Sequence, residues 1–161
     1  MTDLPVQIIR SDRRKRTLQA DVIDGAIRVR VPAGLPRDEE RRMVEELVDK
    51  LRRKLTAGQV DLVPRAAALA RRYELPVPAD VSWSDRQNLR WGSCTPGQES
   101  IRISSRLANV PGFVLDFVLV HELAHLLVSG HGPEFRHLED RYELAERARG
   151  YLMALRHSGA A

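Results

Sequence analysis

The spacing of hydrophobic and polar positions changes character along the chain. Residues 6–9, with a continuation near 17–23, and then residues 26–31 carry short β-branched runs that predict strands. Asp24-Gly25, between the last two runs, is a two-residue hairpin signal. The proline-bounded stretch 32–36 breaks this pattern. Asp38 then opens a helix to about residue 55, with Glu39 and Glu40 in the first turn, where acidic side chains suit the positive end of the helix dipole. A second helix is expected at 61–73, followed by a linker at 75–80. Short strands follow at 81–84, 89–94 and 100–104, with a turn at 95–98. Alternation in the last of these points Ile101 and Ile103 to a core and Arg102 outward. If that strand lies at a sheet edge beside a functional site, it can hold an extended peptide by strand addition.

Residues 114–128 read VLDFVLVHELAHLLV, which is apolar nearly all the way round rather than striped. No face of such a helix suits water, so it is expected to be a buried central helix, and it is too short to span a bilayer. A further helix is expected at 133–147, with Pro133 in its first turn. Strands and helices fall in separate runs, which argues for an α+β fold over a wound parallel sheet. The expectation is one domain over residues 1–161 with a small antiparallel sheet. Residues 1–74 would form a basic half of hairpin and helices, and residues 75–157 the half around the buried helix.

Composition changes the picture in three ways. A chain of 161 residues is near the usual domain size and can bury a real core. Charge is uneven: residues 1–72 hold 17 Lys and Arg against 11 Asp and Glu, while the rest is slightly acidic. Arg10, Arg13, Arg14, Lys15 and Arg16 cluster near the N-terminus, and Arg52, Arg53 and Lys54 lie at the end of the first helix. Such clusters attract nucleic acid or another polyanion, but without interleaved aromatic residues a solvated surface is the favoured reading. Finally, the lone Cys94 forms no internal disulfide, residues 1–16 lack the apolar core of a signal peptide, and no run reaches membrane-spanning length. These features predict a cytoplasmic protein without a membrane partner. The closing residues 156–161 are expected to fray.

The buried helix also carries chemistry. Residues 121–131 read HELAHLLVSGH. Positions four apart on a helix share a face, so His121 and His125 can point two imidazoles at one ion. Glu122, next along the helix from His121, can then reach a water on that ion without being a ligand, as in the zinc-peptidase reading of HExxH. Placing these groups in an apolar helix costs several kcal/mol unless they are satisfied, and a divalent cation satisfies them. The bland alternative is a pair of hydrogen-bonded core histidines. Catalytic zinc usually takes three protein ligands and keeps one position for water. Candidates for the third are His131, Glu139, Glu143 and His137. His131 is favoured because Ser129-Gly130 reads as a helix stop and its distance from His121 matches HExxHxxGxxH, although Val128 stands where that pattern has glycine. Glu139 or Glu143 would instead give a His-His-Glu site, and His137 reads as a packing or surface residue.

Residues 87–94, QNLRWGSC, form the second informative segment. Trp91 reads as a core anchor, Gly92 as a point of close backbone approach, and Cys94 as a small buried hydrophobe. Cys94 as a fourth ligand would close the open coordination position and is set aside.

The segment from Gln87 through RWGSC to Leu107, together with VLVHELAHLLVSGHGPEF, resembles the YgjP-like zinc metallopeptidases. The likeness extends to the basic opening strands and the phrase VRVPAGLPRDEE, so it covers most of the chain. It implies a small zincin-like α+β domain, zinc held by His121, His125 and His131, Glu122 as catalytic base, and a peptide or protein substrate. The HGPEF ending is also similar to SprT-like proteases, which act on proteins attached to DNA. On this reading Glu122 removes a proton as water attacks and returns it to the leaving amine. Tyr142, His137 and Arg136 are open candidates to stabilise the oxyanion. Two other classes compete. One is a metal-dependent phosphoanhydride hydrolase acting on nucleotides. The other is a nucleic-acid-binding module with structural zinc, which would need a closed four-ligand site.

Overall fold

The computed structural model describes residues 4–157. Of the tail expected to fray, Arg156 and His157 end the last helix, and residues 158–161 lie outside the described residues. The chain is mixed helix and sheet, as expected, and its backbone clusters into two compact units, Met1–Leu55 and Thr56–Ala161. The division falls near the end of the first long helix, where the sequence suggests 74–75.

In the first unit, β1 (Val6–Ser11), β2 (Gln19–Ile23) and β3 (Ala26–Pro32) form a sheet of order β1-β3-β2. The hairpin expected at Asp24-Gly25 is present: β2 and β3 pair antiparallel, closed by Ile23 opposite Ala26. Both turn residues have positive φ, 51° and 73°, as a type I′ turn requires. The run 6–9 and its continuation are separate strands on opposite sides of β3, and β1 pairs with β3 in parallel. The first sheet is thus mixed, not the antiparallel sheet that the pattern suggests. The polar segment 12–18 supplies the length of chain that a non-hairpin connection needs.

The helix α1 (Arg37–Ala57) stacks Val44 and Val48, one turn apart, against Ile27, Val29 and Val31 of β3. Buried Glu40 is satisfied by a two-pronged bond from Arg10, at 3.1 and 2.6 Å. Several basic side chains of this unit answer its own acids and amides, among them Arg14 on Gln19, Arg28 on Asp24 and Arg30 on Asp21.

The second unit builds the site. Its sheet contains β4 (Asp80–Ser84), β5 (Gly92–Thr95) and β6 (Ser100–Ser104) in the order β4-β6-β5. It too is mixed, with β4 parallel and β5 antiparallel to β6. Ile101 and Ile103 are fully buried and Arg102 is exposed, as the alternation predicts. The position of this strand differs from the expectation, however. β6 is the middle strand, with its backbone groups used on both sides, so it cannot accept an added peptide strand. Its two neighbours, β4 and β5, are the edges.

Helix α2 (Leu62–Arg72) is capped by the Asp61 carboxylate, which accepts from the Val63 amide at 3.1 Å. It packs with β4 and with α3 (Gly112–Ala124). The all-round apolar composition of α3 has the predicted result: from Val114 to Ala124 only Asp116 and His121 are not buried. Each fully buried valine or leucine there contributes about 1.5–3 kcal/mol.

The helix predicted at 133–147 is broken into α4 (Pro133–Glu139) and α5 (Ala145–His157). Tertiary bonds capture the intervening residues. Glu143 accepts from the Tyr73 hydroxyl at 2.6 Å and from Arg72 at 2.8 Å. Arg141 donates to the Tyr73 carbonyl, and Tyr142 donates to the Phe113 carbonyl while its ring meets Tyr73 edge-on. A straight helix would forgo these bonds.

The hydrogen bond from Tyr73, with its own backbone amide and Arg72, holds the Glu143 carboxyl down at about 2, below its ordinary 4.5. A carboxyl with a depressed folded pKa adds stability that is complete above the unfolded value and disappears as pH falls toward the folded one. Replacement Glu143→Gln should therefore lower Tm at pH 7, and the difference from wild type should shrink through the window from pH 4.5 to 2. Thermal melts across that window check it.

Candidate metal centre

His121 and Glu122 lie in the last turn of α3, and His125 is its C-cap. The helix ends earlier than the predicted residue 128. Beyond Ala124 the backbone tightens, with Leu126 bonding Leu123 and Leu127 bonding Ala124, a three-residue spacing that closes a helix end. The chain then turns through 129–132 and brings His131 back just before α4 begins at Pro133.

The result is convergence. One ring nitrogen from each of His121, His125 and His131 lies within 4.8 Å of the others. The Nε2 atom of His131 is 3.2 Å from that of His125 and 3.3 Å from that of His121. Ligands about 2.05 Å from a tetrahedral zinc ion stand about 3.3 Å apart, so the spacing fits.

Protonation supports the same conclusion. His121 Nδ1 lies 2.6 Å from Glu139 Oε1, and His125 Nδ1 lies 3.0 Å from the Val128 carbonyl oxygen. Both partners are acceptors, so both Nδ1 atoms carry a proton, and in the neutral rings both Nε2 atoms turn lone pairs inward. A single proton on His131 can bridge only one of them, whereas a cation satisfies all three. Burial lowers the His125 pKa, which favours the neutral, ligand-ready ring.

Phe135, which the sequence does not assign, and Glu139, which it assigns another role, complete the support. Phe135, 1% exposed, lies against all three imidazoles, stacked on His125 at 4.4 Å between centroids and edge-on to His121 and His131. Glu139, a candidate ligand on sequence grounds, instead bonds the outer nitrogen of the His121 ring. Burial pushes its pKa up, but hydrogen bonds from His121 and Arg149 outweigh that and hold it below its ordinary value. Arg149 links Glu139, Asp140 and Glu146. The one sequence signal for Glu139 is its acidic character on the following helix, which does not distinguish a ligand from a ligand's partner.

The remaining candidates lie elsewhere. Glu143 is bound to Tyr73 and Arg72. His137 is exposed and lines a separate shallow hollow with His131 and Arg136. The Tyr142 hydroxyl is occupied by the Phe113 carbonyl. Cys94 stands outside the histidine cluster, and burial, with the charge of Glu122, pushes its thiol up to about 11. It remains a protonated thiol.

Glu122 is 5% exposed, next to the histidines and beside the edge strand β5. Burial pushes its carboxyl up to about 7, against the opposing pull of His121 and Arg90. A carboxyl with that value can take and return a proton near neutrality. The site opens into a cleft of about 840 Å³, lined by the three histidines, Glu122, β5 and several arginines.

Removing the charge of Glu139 while keeping its shape, Glu139→Gln, should weaken metal binding about 10- to 100-fold, as read by chelator competition. Truncating Phe135→Ala should cost about 3–5 kcal/mol of stability and also weaken metal binding, since it removes the surface on which the three rings rest. Urea denaturation with and without added zinc reads both effects.

A family model described as the YgjP-like metallopeptidase domain matches residues 56–152, beginning at the first residue of the second compact unit. No curated protein and no solved structure matches the chain. Among the described residues, no helix is long and apolar enough to cross a membrane. The chain belongs to the YgjP-like metallopeptidase family, and His121, His125 and His131 are residues that can hold the metal cofactor such a domain implies.

Proposed function

We propose that the protein is a zinc-dependent peptidase in which His121, His125 and His131 hold the ion and Glu122 is the general base. The observation that carries this reading is the set of inward-facing imidazole nitrogens 3.2–3.3 Å apart, with a buried carboxyl on the adjacent residue. Bound zinc would supply Lewis acidity, polarising the scissile carbonyl and acidifying a water toward a pKa of about 7.

The protein's own groups do the rest. Glu122 accepts the proton of the attacking water and passes it to the leaving amine, a transfer suited to a carboxyl whose pKa burial has raised. Glu139 and the Val128 carbonyl hold the His121 and His125 rings in the correct tautomer. The peptide extends along β5, whose partner in the sheet is β6 alone and whose residues Gly92, Ser93 and Cys94 line the cleft. The protonated lone thiol of Cys94 fits a cytoplasmic setting.

A second reading, hydrolysis of a phosphoanhydride, is favoured by one observation. Arg90 and Arg156 line the cleft and offer positive charge to a polyphosphate.

Glu122→Gln should keep the metal and lose turnover, whereas His125→Ala should lose both. Metal content by mass spectrometry, beside turnover of unfolded protein and of nucleoside triphosphates, tests both readings. An active Glu122→Gln protein would rule out the role of Glu122, and the substrate turned over by the wild type separates peptidase from phosphoanhydride hydrolase.

A further inference from the structure

We infer that Gly92 is a positioning residue for Glu122: the absence of a side chain at 92 is the space in which the Glu122 carboxylate is held beside the three histidines. This rests on the reading of Glu122 as the base and adds what sets its position.

A Cβ built at residue 92 would stand 2.6 Å from Glu122 Oε1, 2.8 Å from its Cγ and 2.9 Å from its Cδ. These are three consecutive atoms of one side chain, so the overlap is with the whole carboxylate arm and not only its tip. The usual reason for a glycine is missing here. Gly92 lies in a β-strand and is not among the positive-φ positions, so its backbone suits any residue. The requirement is spatial.

Neither wall can retreat. On one side, Gly92 sits opposite Ile103 in the β5–β6 ladder, and the Ser104 amide bonds the Trp91 carbonyl at 2.9 Å. The preceding loop is tied down as well: the Ser104 hydroxyl donates to the Gln87 carbonyl at 3.0 Å, and the Gln87 side-chain amide donates to the Ser93 hydroxyl at 2.5 Å. On the other side, Val120, Leu123 and Ala124, which flank Glu122 on α3, are fully buried. An added methyl at 92 therefore leaves the Glu122 side chain as the part that yields. It would rotate out of its slot, while the histidines, held by Glu139, Val128 and Phe135, stay in place.

The test is a double-mutant cycle of wild type, Gly92→Ala, Glu122→Ala and the double variant, each measured for metal content, Tm, kcat and KM. Gly92→Ala should retain its metal, lose about 100-fold in kcat, the scale of a misplacement of about 1 Å, with KM little changed, and melt below wild type. In the Glu122→Ala background the same alanine should no longer lower Tm and should no longer cost about 100-fold in rate, because the arm it strikes is gone. If Gly92→Ala does not fold, the double variant should recover folding. Wild-type kcat in Gly92→Ala, or an equal loss of Tm in both backgrounds, would overturn the inference, since the methyl would then be striking something other than Glu122. Failure of the base reading is separate: it appears as activity in Glu122→Gln, whatever the cycle shows.

Discussion

Three imidazole lone pairs face one point at the end of a buried helix, and the remainder of the site follows from that constraint. Two of the rings have their outer nitrogens committed to acceptors, so in the neutral imidazoles the inner nitrogens are left as lone pairs. Without a cation, the arrangement leaves acceptors opposed at 3.2–3.3 Å in a half-buried pocket. With one, the same spacing becomes a coordination shell.

The surrounding elements serve this point. α3 is apolar on every side, which anchors it against α2, the sheet and α5, and so fixes His121 and Glu122. Its early termination is what allows the chain to turn and return His131. α4 then places Phe135 beneath the rings and Glu139 behind His121, and α5 brings Arg149 to Glu139. Across the cleft, β5 passes so close to Glu122 that the contact excludes a side chain at Gly92. The Glu122 carboxylate and the three imidazoles are thus set by different walls, the carboxylate by the sheet and the imidazoles by the helices.

The parts legible in the sequence share a cause. The HELAH spacing reflects helix periodicity, and periodicity is local, so the residue order alone puts two histidines on one face. The same holds for the hairpin at Asp24-Gly25, for the Ile101 and Ile103 alternation, and for the burial of α3, since each depends on residues within a turn or a strand. The single helix expected through 133–147 does not form, although its local propensity is genuine. What breaks it is a set of bonds to Tyr73, Arg72 and Phe113, at sequence separations far beyond the reach of any local pattern.

Strand order is likewise invisible to pattern. Alternation tells which face a residue takes but not which neighbour its backbone meets, so it leaves β6 free to be an edge when in fact it is the centre. The residue types on and after the buried helix placed two imidazoles and a carboxyl one turn or less apart, and offered His131 as the next nitrogen. Only the tertiary structure decided that Glu139 bonds the His121 ring, that Phe135 supports the three imidazoles, and that Gly92 faces Glu122. These relations join residues on different elements, and it is packing, not periodicity, that chooses such partners.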